Sequence, residues 1–228
     1  MPFSTSGLLS PGRAFVGPRF AMWLLGINPS TGAAHKVTDL LVEDRQLLQQ
    51  LGRASGPAQQ PVGRLLLPLS AVPSPDQLCN SKLWVDNVDV DIEDQWANAL
   101  QQPHCGFVAL TVFKQPLRSG QAPPVSNVSS SIGTRLLLSN KHVNLWDFHV
   151  PPQTSCDLHQ HLHPYVFINR TACETQGLDD KLQPEGPVTS FAAFEFRCVD
   201  VNDKDEHIHA FRNPGNVAVE QYIVEFKA

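Results

Sequence analysis

The chain has 228 residues, a net charge of −5 and 42% hydrophobic residues, which is enough for one large domain or a domain with an extension. Lysine and arginine form no basic block, so nucleic-acid binding is not expected, and no apolar run approaches the ~20 residues that cross a bilayer. Five cysteines without a CxxC spacing indicate reduced thiols in an intracellular protein.

The first part of the chain is free of acidic residues. Residues 1–38 contain no Asp or Glu but hold Arg13, Arg19 and several Ser and Thr residues. This composition is typical of an organelle transit peptide, and the alternative is an ordinary N-terminal arm. We therefore expect a cytoplasmic protein, with a plastid or a mitochondrion as the alternative location.

Helical patterns follow the arm. Between Thr38 and Gly52, leucines recur at helical spacing, Thr38 can cap the first turn and Gly52 can end the helix. Shorter helices are predicted over residues 74–83, after a Ser-Pro-Asp start, and over residues 91–100, where acidic side chains favour the first turn. The sequence thus predicts a helical or mixed extension over residues 39–129 that packs on the domain behind it.

The remainder of the chain has the pattern of β-structure. Residues 106–113 are apolar and partly β-branched and predict a strand, which joins either the extension or the later strands. From residue 133 onward short apolar stretches alternate with turns, and a single strand is predicted over residues 191–199. Short strands at this spacing favour an antiparallel sandwich or barrel, so we predict an all-β domain over residues 130–228.

Histidines cluster in the middle of this β region. His159, His161, His163 and Tyr165 stand at alternate positions, and alternate residues of a strand share one face. One strand here would therefore carry three imidazoles and a phenol side by side. Since imidazole is a versatile neutral ligand, the pattern indicates a metal site that needs a further ligand from elsewhere in the chain.

A second histidine stretch supplies that ligand and carries a family resemblance. Together the two stretches resemble the cupins, whose first motif is His-x-His followed by Glu and whose second motif is His-x-x-x-Asn. His159 and His161 match the first motif, His209 and Asn213 match the second, and Tyr165 stands where the family has Glu. The resemblance implies an antiparallel jelly-roll barrel for the predicted all-β domain.

Three histidines form the predicted ligand set. His159, His161 and His209 can hold a divalent first-row metal and leave coordination positions open. His207 shares the face of His209 and is the substitute if the register differs, whereas His163 precedes a proline and is expected at the rim. The expected ion is Fe²⁺, with Zn²⁺, Mn²⁺ or Ni²⁺ as alternatives.

Other polar side chains leave alternatives open. Tyr165, the predicted catalytic residue, can act as a phenolate ligand, as a hydrogen-bond partner or base for a substrate, or as a core aromatic residue. Cys156 either lines the site or is a buried inert thiol. Glu195 and Glu225 lie in predicted strands and can supply a carboxylate or orient a histidine, although no spacing favours either.

The resemblance to cupins implies a small-molecule enzyme. A three-histidine site is similar to those of cupin dioxygenases that act on thiols and diketones, and a metal-dependent lyase or isomerase with Tyr165 as base is the alternative. A third possibility is a module that binds a small ligand without catalysis. The sequence shows no internal repeat of the cupin pattern, which counts against a storage protein, and a homodimer is expected because open sheets leave edges to cover.

Overall fold

All regular structure in the described part of the chain is β-structure. The computed structural model describes residues 5–10, 15–25, 60–69, 84–85, 106–115, 124–201 and 207–227. The strands are β1 (Thr5–Leu8), β2 (Phe15–Val16), β3 (Phe20–Leu25), β4 (Pro61–Pro68), β5 (Trp84–Val85), β6 (Phe107–Phe113), β7 (Arg135–Ser139), β8 (Val143–Val150), β9 (His159–Gln160), β10 (Tyr165–Asn169), β11 (Cys173–Leu178), β12 (Thr189–Phe191), β13 (Glu195–Val199), β14 (Ile208–Arg212) and β15 (Val219–Phe226). The described residues hold no helix that could span a membrane.

The chain divides into two compact units. The C-terminal unit combines Met1–Leu8 with Leu117–Lys227, and the N-terminal unit comprises Leu9–Pro116 together with Ala228. Strand β1 thus belongs to the C-terminal unit, where it pairs with β13.

Two antiparallel sheets form the C-terminal unit. One has the strand order β1-β13-β10-β15-β8-β7, and the other has the order β12-β11-β14-β9. Side chains from both sheets meet in one buried core, to which β8 contributes Trp146 and Phe148, β15 contributes Ile223 and β12 contributes Phe191. Burial of such large apolar side chains stabilises a fold by about 1.5–3 kcal/mol each, so the shared core holds the sheets together as a sandwich.

The prediction of an all-β antiparallel fold is confirmed, but the closed barrel and the helical extension are not. In the described ranges no ladder joins the two sheets, because the chain passes between them through irregular segments such as residues 161–164. The extension contributes strands wherever the structure describes it. The helices predicted at residues 38–52, 74–83 and 91–100 lie outside the described residues.

Two of the predicted strands are interrupted. The histidine strand does not continue to Tyr165, since β9 ends at Gln160 in the smaller sheet and β10 begins at Tyr165 in the larger one. Pro164 precedes β10 and cannot donate a ladder hydrogen bond. The strand predicted over residues 191–199 is divided at Phe194, whose φ of 65° turns the chain between β12 and β13.

A five-stranded antiparallel sheet forms the described core of the N-terminal unit, with the order β2-β3-β6-β4-β5. The predicted strand at residues 106–113 is confirmed as β6 and belongs to this sheet. One face is apolar, and its central members Phe20, Leu65 and Leu110 have 0% exposure. The described strands of this unit therefore have a buried core side of their own.

The N-terminal sheet repeats the topology of the larger C-terminal sheet. In chain order, the N-terminal strands are β2, β3, β4, β5 and β6, and five C-terminal strands are β7, β8, β10, β13 and β15. In each set the first strand pairs with the second, the third pairs with the fourth, and the fifth lies between the second and the third. The repeat is one of strand topology, whereas the sequence itself shows no repeat of the cupin pattern.

Candidate metal centre

The histidine cluster lies where β9 meets β14. His159 is directly opposite His209 in the antiparallel pairing of these strands, and their ring centroids are 4.7 Å apart. His161 follows β9, and its backbone N–H donates to the carbonyl of His207 at 3.2 Å. The strand register thus brings His209 against the first histidine motif.

The three predicted ligands converge on a volume that suits one metal ion. Ring nitrogens of His159, His161 and His209 all lie within 4.8 Å of one another, and the Nε2 atoms of His161 and His209 are 3.1 Å apart. Two nitrogens that bind one ion at about 2.0–2.1 Å are separated by roughly 2.9–3.4 Å for octahedral to tetrahedral angles. The observed distance falls within this interval, so these two rings fit a shared divalent ion.

Local hydrogen bonding orients the ring of His159, whereas the Nδ1 atom of His161 is unpaired in the described part of the chain. The Nδ1 atom of His159 lies 2.8 Å from the backbone carbonyl of Asp157. Because a carbonyl only accepts, Nδ1 carries the proton and Nε2 presents its lone pair, an arrangement common in metal-binding histidines. His161 is 1% exposed, and its Nδ1 has no hydrogen-bond partner among the described residues. The ion would bind His161 through Nε2, the nitrogen that faces His209, so the unpaired Nδ1 lies on the far side of the ring.

Burial keeps the three imidazoles neutral. It lowers the pKa of His159 against the opposing effect of Asp157. It lowers the pKa of His161 well below the ordinary value, and the neighbouring histidines add to that effect. The same two causes lower the pKa of His209 to about 3. Near neutral pH all three rings therefore have a lone pair available, which is the state that metal binding requires.

Tyr165 lies against the cluster rather than on the histidine strand. Its ring stacks on His161 with a centroid distance of 3.9 Å and an interplanar angle of 13°. Burial, followed by the charge of Glu225, raises the pKa of Tyr165. The phenol is therefore protonated near neutral pH, which favours a hydrogen-bonding role over a phenolate ligand.

Glu225 is a buried carboxylate of the site that spacing alone did not single out. It lies opposite Tyr165 in the pairing of β10 and β15 and is 3% exposed. Its Oε2 accepts hydrogen bonds from Asn144 Nδ2 at 2.9 Å and from the indole Nε1 of Trp146 at 3.0 Å. The signal in the sequence was a glutamate on the same alternating face of the last strand as Val219 and Ile223. Glu195 instead accepts from a backbone N–H in the turn between β12 and β13.

No protein-family model and no curated protein matches the chain, but solved structures do. A cupin domain from Bordetella pertussis Tohama I is 17% identical, with a TM-score of 0.34, over 50% of this chain and 100% of that one. AerE from Microcystis aeruginosa is 12% identical, with a TM-score of 0.45, over 100% and 98% of the two chains. Oxalate decarboxylase from Bacillus subtilis, which has Mn(II) centres, is 10% identical, with a TM-score of 0.31, over 54% and 50%.

The C-terminal unit itself shows the architecture that the resemblance drawn from the sequence implies. Two antiparallel sheets enclose one core, and the His-x-His and His-x-x-x-Asn motifs lie on neighbouring strands. The similarity to the solved structures assigns no activity to this chain.

The asparagine of the second cupin motif has a structural role. Asn213 is fully buried, and its Nδ2 donates to the carbonyls of Val150, Pro151 and Val217 at 3.0, 3.1 and 2.9 Å. Its Oδ1 accepts from the N–H of Gly215 at 3.0 Å. These bonds tie the end of β14 to the end of β8 and so hold the strand that carries the third histidine.

A cavity of about 340 Å³ adjoins the histidine cluster, and His159 forms part of its wall. Its lining includes the apolar Phe148 and the more exposed Asp157. Cys156 also lines it as a free thiol whose Sγ accepts from the N–H of Phe211 at 3.2 Å. Burial raises the pKa of Cys156, so this thiol forms part of the cavity wall in its protonated state.

The remaining candidate histidines lie around the cluster. The ring of His207 is 5.7 Å from the rings of both His161 and His209, and the geometric group of three does not include it. His163 is half-buried and also lies outside that group. The structure thus brings together the three histidines predicted as ligands and places His207, the predicted substitute, beside them.

Proposed function

We propose that the cupin domain binds a divalent metal through His159, His161 and His209 and uses it as a dioxygenase-type oxidoreductase on a small molecule, with Fe²⁺ as the ion. The convergence of three neutral ring nitrogens carries the proposal. Three protein ligands leave coordination positions open. A divalent ion held there would supply Lewis-acid or redox chemistry to the substrate.

The cavity beside His159 gives the substrate a place to bind. Phe148 and Val150 provide an apolar wall, and Ser155 and Asp157 provide a polar rim. This lining suits a small molecule with an apolar body and a polar end. In this function the protein orients the substrate against the cluster and excludes water from its apolar side.

A metal-dependent lyase or isomerase is the second candidate, and the pair of Tyr165 and Glu225 supports it. The two residues are cross-strand neighbours, the phenol is held protonated, and burial raises the pKa of the Glu225 carboxyl. A donor and an acceptor side by side suit proton transfer on a substrate. A cupin that binds a small ligand without turning it over is the remaining alternative.

Metal analysis after aerobic and anaerobic purification tests the proposal. We expect about one iron per chain in the anaerobic preparation, since one cluster of three ligands binds one ion. Zinc or manganese as the main metal would favour the lyase or isomerase. A protein free of metal in both preparations would contradict both enzymatic candidates and favour ligand binding alone.

Oxygen uptake separates the two enzymatic candidates. The iron-loaded protein is assayed with a panel of small thiols and β-diketones in an oxygen electrode, with the His209→Ala variant as the control. Uptake that depends on both substrate and His209 is the expected result. Exchange of substrate protons with deuterated water, without oxygen uptake and with dependence on Tyr165, would support the isomerase or lyase instead.

A further inference from the structure

The cavity beside His159 has an acidic wall. It is formed by three segments, residues 131–134 before β7, residues 148–150 at the end of β8 and residues 155–157 before β9. In the described part of the chain Asp157 is the one carboxylate of this lining, and the lining holds no lysine or arginine. A ligand in the cavity therefore meets a carboxylate without a strongly basic side chain beside it.

Asp157 presents its carboxylate at the mouth of this cavity. Its backbone carbonyl accepts from Nδ1 of His159 at 2.8 Å, which fixes the residue beside the first predicted ligand. The residue is exposed, and among the described residues no hydrogen bond or ion pair engages its carboxylate. The carboxylate is therefore available to a ligand.

The second histidine of the lining does not offset this carboxylate. His149 alternates with Phe148 and Val150 on β8, and these two side chains belong to the core between the sheets. The ring of His149 thus lies on the opposite face of β8, where its Nδ1 is 3.6 Å from Oε1 of Glu220. The ring is therefore directed at Glu220 and not at Asp157.

Other polar groups near the cavity already have partners. The hydroxyl of Thr134 donates to the carbonyl of His149 at 3.1 Å and accepts from its N–H at 2.8 Å. Arg212 lies opposite Ser155 in an antiparallel bridge, but its Nε donates to the side-chain oxygen of Gln176 at 2.9 Å. Asp157 is thus the charged group of the lining that a ligand can engage.

An apolar wall joins this carboxylate to the histidine cluster. Phe148 lines the cavity, and the centroid of its ring is 6.2 Å from that of His159. Ile132 and Val150 belong to the same lining. Since Asp157 and His159 are two residues apart, their Cα atoms are separated by at most about 7 Å, and a small molecule can reach both.

We propose that this cavity binds a small organic cation, whose protonated amine pairs with the carboxylate of Asp157 while its apolar body lies along Phe148. The opposite end of the molecule then faces His159. Aromatic faces also attract cations, so Phe148 favours the same class of ligand. This substrate class rests on the proposed function of the cavity, whereas the binding step itself needs no metal.

Amide signals of ¹⁵N-cysteine-labelled protein test the proposal, with butylamine as the probe and the full chain freed of metal. The N–H of Cys156 donates to the carbonyl of Phe211 at 3.0 Å, so this amide reports from the cavity wall, and the Cys156→Ser variant identifies its signal by disappearance. Butylamine should shift the signal in a saturable way, while 1-butanol and butyrate should bind several-fold more weakly. The absence of a saturable shift, or equal affinity for butylamine and 1-butanol, would overturn the proposal.

Asp157→Asn removes the charge and keeps the backbone carbonyl that orients His159. It should weaken butylamine binding about five-fold, the upper range for a solvent-exposed ion pair, and leave 1-butanol binding unchanged. Added sodium chloride should weaken butylamine binding in the wild type but not in this variant. Asp180→Asn removes an exposed acid outside the cavity lining and is the matched control, with wild-type affinity expected. Equal butylamine affinity in the wild type and Asp157→Asn would overturn the proposal.

Asp157→Lys should reverse the preference, so that butyrate binds more tightly than butylamine. A folded Asp157→Lys variant that still prefers butylamine would contradict the assigned role of the carboxylate. Should this variant fail to fold, the titration of Asp157→Asn decides the question by itself.

The butylamine titration and the metal analysis have independent outcomes. A protein that holds iron and consumes oxygen but binds butylamine and 1-butanol equally would overturn the substrate class and leave the metal-dependent function intact. A protein without metal that prefers butylamine through Asp157 would overturn the metal-dependent function and support the cation site.

Discussion

The N-terminal sheet and the larger C-terminal sheet share a strand order but differ in the hydrogen bonding of polar side chains at equivalent positions. In the C-terminal sheet the carboxylate of Glu225 accepts from Asn144 and Trp146. In the N-terminal sheet, the register of β6 with β3 and β4 places Trp23 and Thr111 at the positions that Trp146 and Glu225 hold around β15, and their polar atoms are unpaired in the described ranges. The comparison indicates that the same strand order can be built with a closed polar network or with polar side-chain atoms that stay unpaired.

Acid should destabilise the C-terminal unit through the three clustered histidines, whose combined effect is the largest that we expect. In the metal-free protein the pKa of His209 is about 3, against 6.5 for an ordinary histidine. Between these values the unfolded chain binds a proton that the folded chain does not, so stability falls as the pH drops below 6.5. At about 1.4 kcal/mol per pH unit, this ring alone costs about 2 kcal/mol between pH 6.5 and pH 5.

Urea unfolding at pH 7 and pH 5, after removal of metal with a chelator, measures this loss. The His209→Gln variant should lose less stability between the two pH values than the wild type. His149→Gln, which replaces an exposed histidine, should behave as the wild type. Glu225 has the opposite effect on stability. Burial raises its pKa, so as the pH falls the folded state binds this proton before the unfolded state does, and the stability rises. Equal pH dependence in the wild type and His209→Gln would contradict the assignment.

Replacing Glu225 by the residue at the equivalent position of the other sheet should cause a loss of stability of intermediate size. Glu225→Thr introduces the N-terminal residue into the C-terminal sheet and leaves Asn144 and Trp146 without their acceptor. Each orphaned donor costs about 1–3 kcal/mol, so we expect a loss of about 2–4 kcal/mol in urea unfolding. Thr111→Val should change stability by less than about 0.5 kcal/mol. Similar losses in the two variants would show that both networks are already satisfied.

The smallest effect is expected when the phenol hydroxyl of Tyr165 is removed. Tyr165→Phe keeps the ring that stacks on His161 and removes only the hydroxyl. Because the phenol is held protonated, metal content should equal that of the wild type within error, and stability should change by less than about 1 kcal/mol. A loss of metal comparable to that of a histidine variant would identify the phenol as a ligand.

Much of the candidate site could be predicted because its signals are local. The alternation of His159 and His161 and the spacing from His209 to Asn213 are visible in the sequence, and the register of β9 and β14 brings the two motifs together. Tyr165 reaches the same site by another route, since the chain crosses between sheets after Gln160. That crossing depends on tertiary packing and leaves no periodic signal.

The N-terminal unit was less predictable for physical reasons. Strand β6 is buried on both faces, so it has a continuous apolar pattern without the alternation that indicates a solvent-facing sheet. The equivalence of Trp23 with Trp146, and of Thr111 with Glu225, depends on pairing between strands far apart in the chain. Such pairing appears only once the strand order is known, which is why no repeat was visible in the sequence.

The most direct test of the metal centre is the metal content of four purified proteins, measured by mass spectrometry after growth with added iron and extensive dialysis. We predict about one ion per chain in the wild type and in His207→Ala. His209→Ala and the double variant His159→Ala/His161→Ala should hold almost none, with circular dichroism showing an intact fold. Wild-type metal content in the double variant, or loss in His207→Ala with retention in His209→Ala, would contradict the three-histidine site.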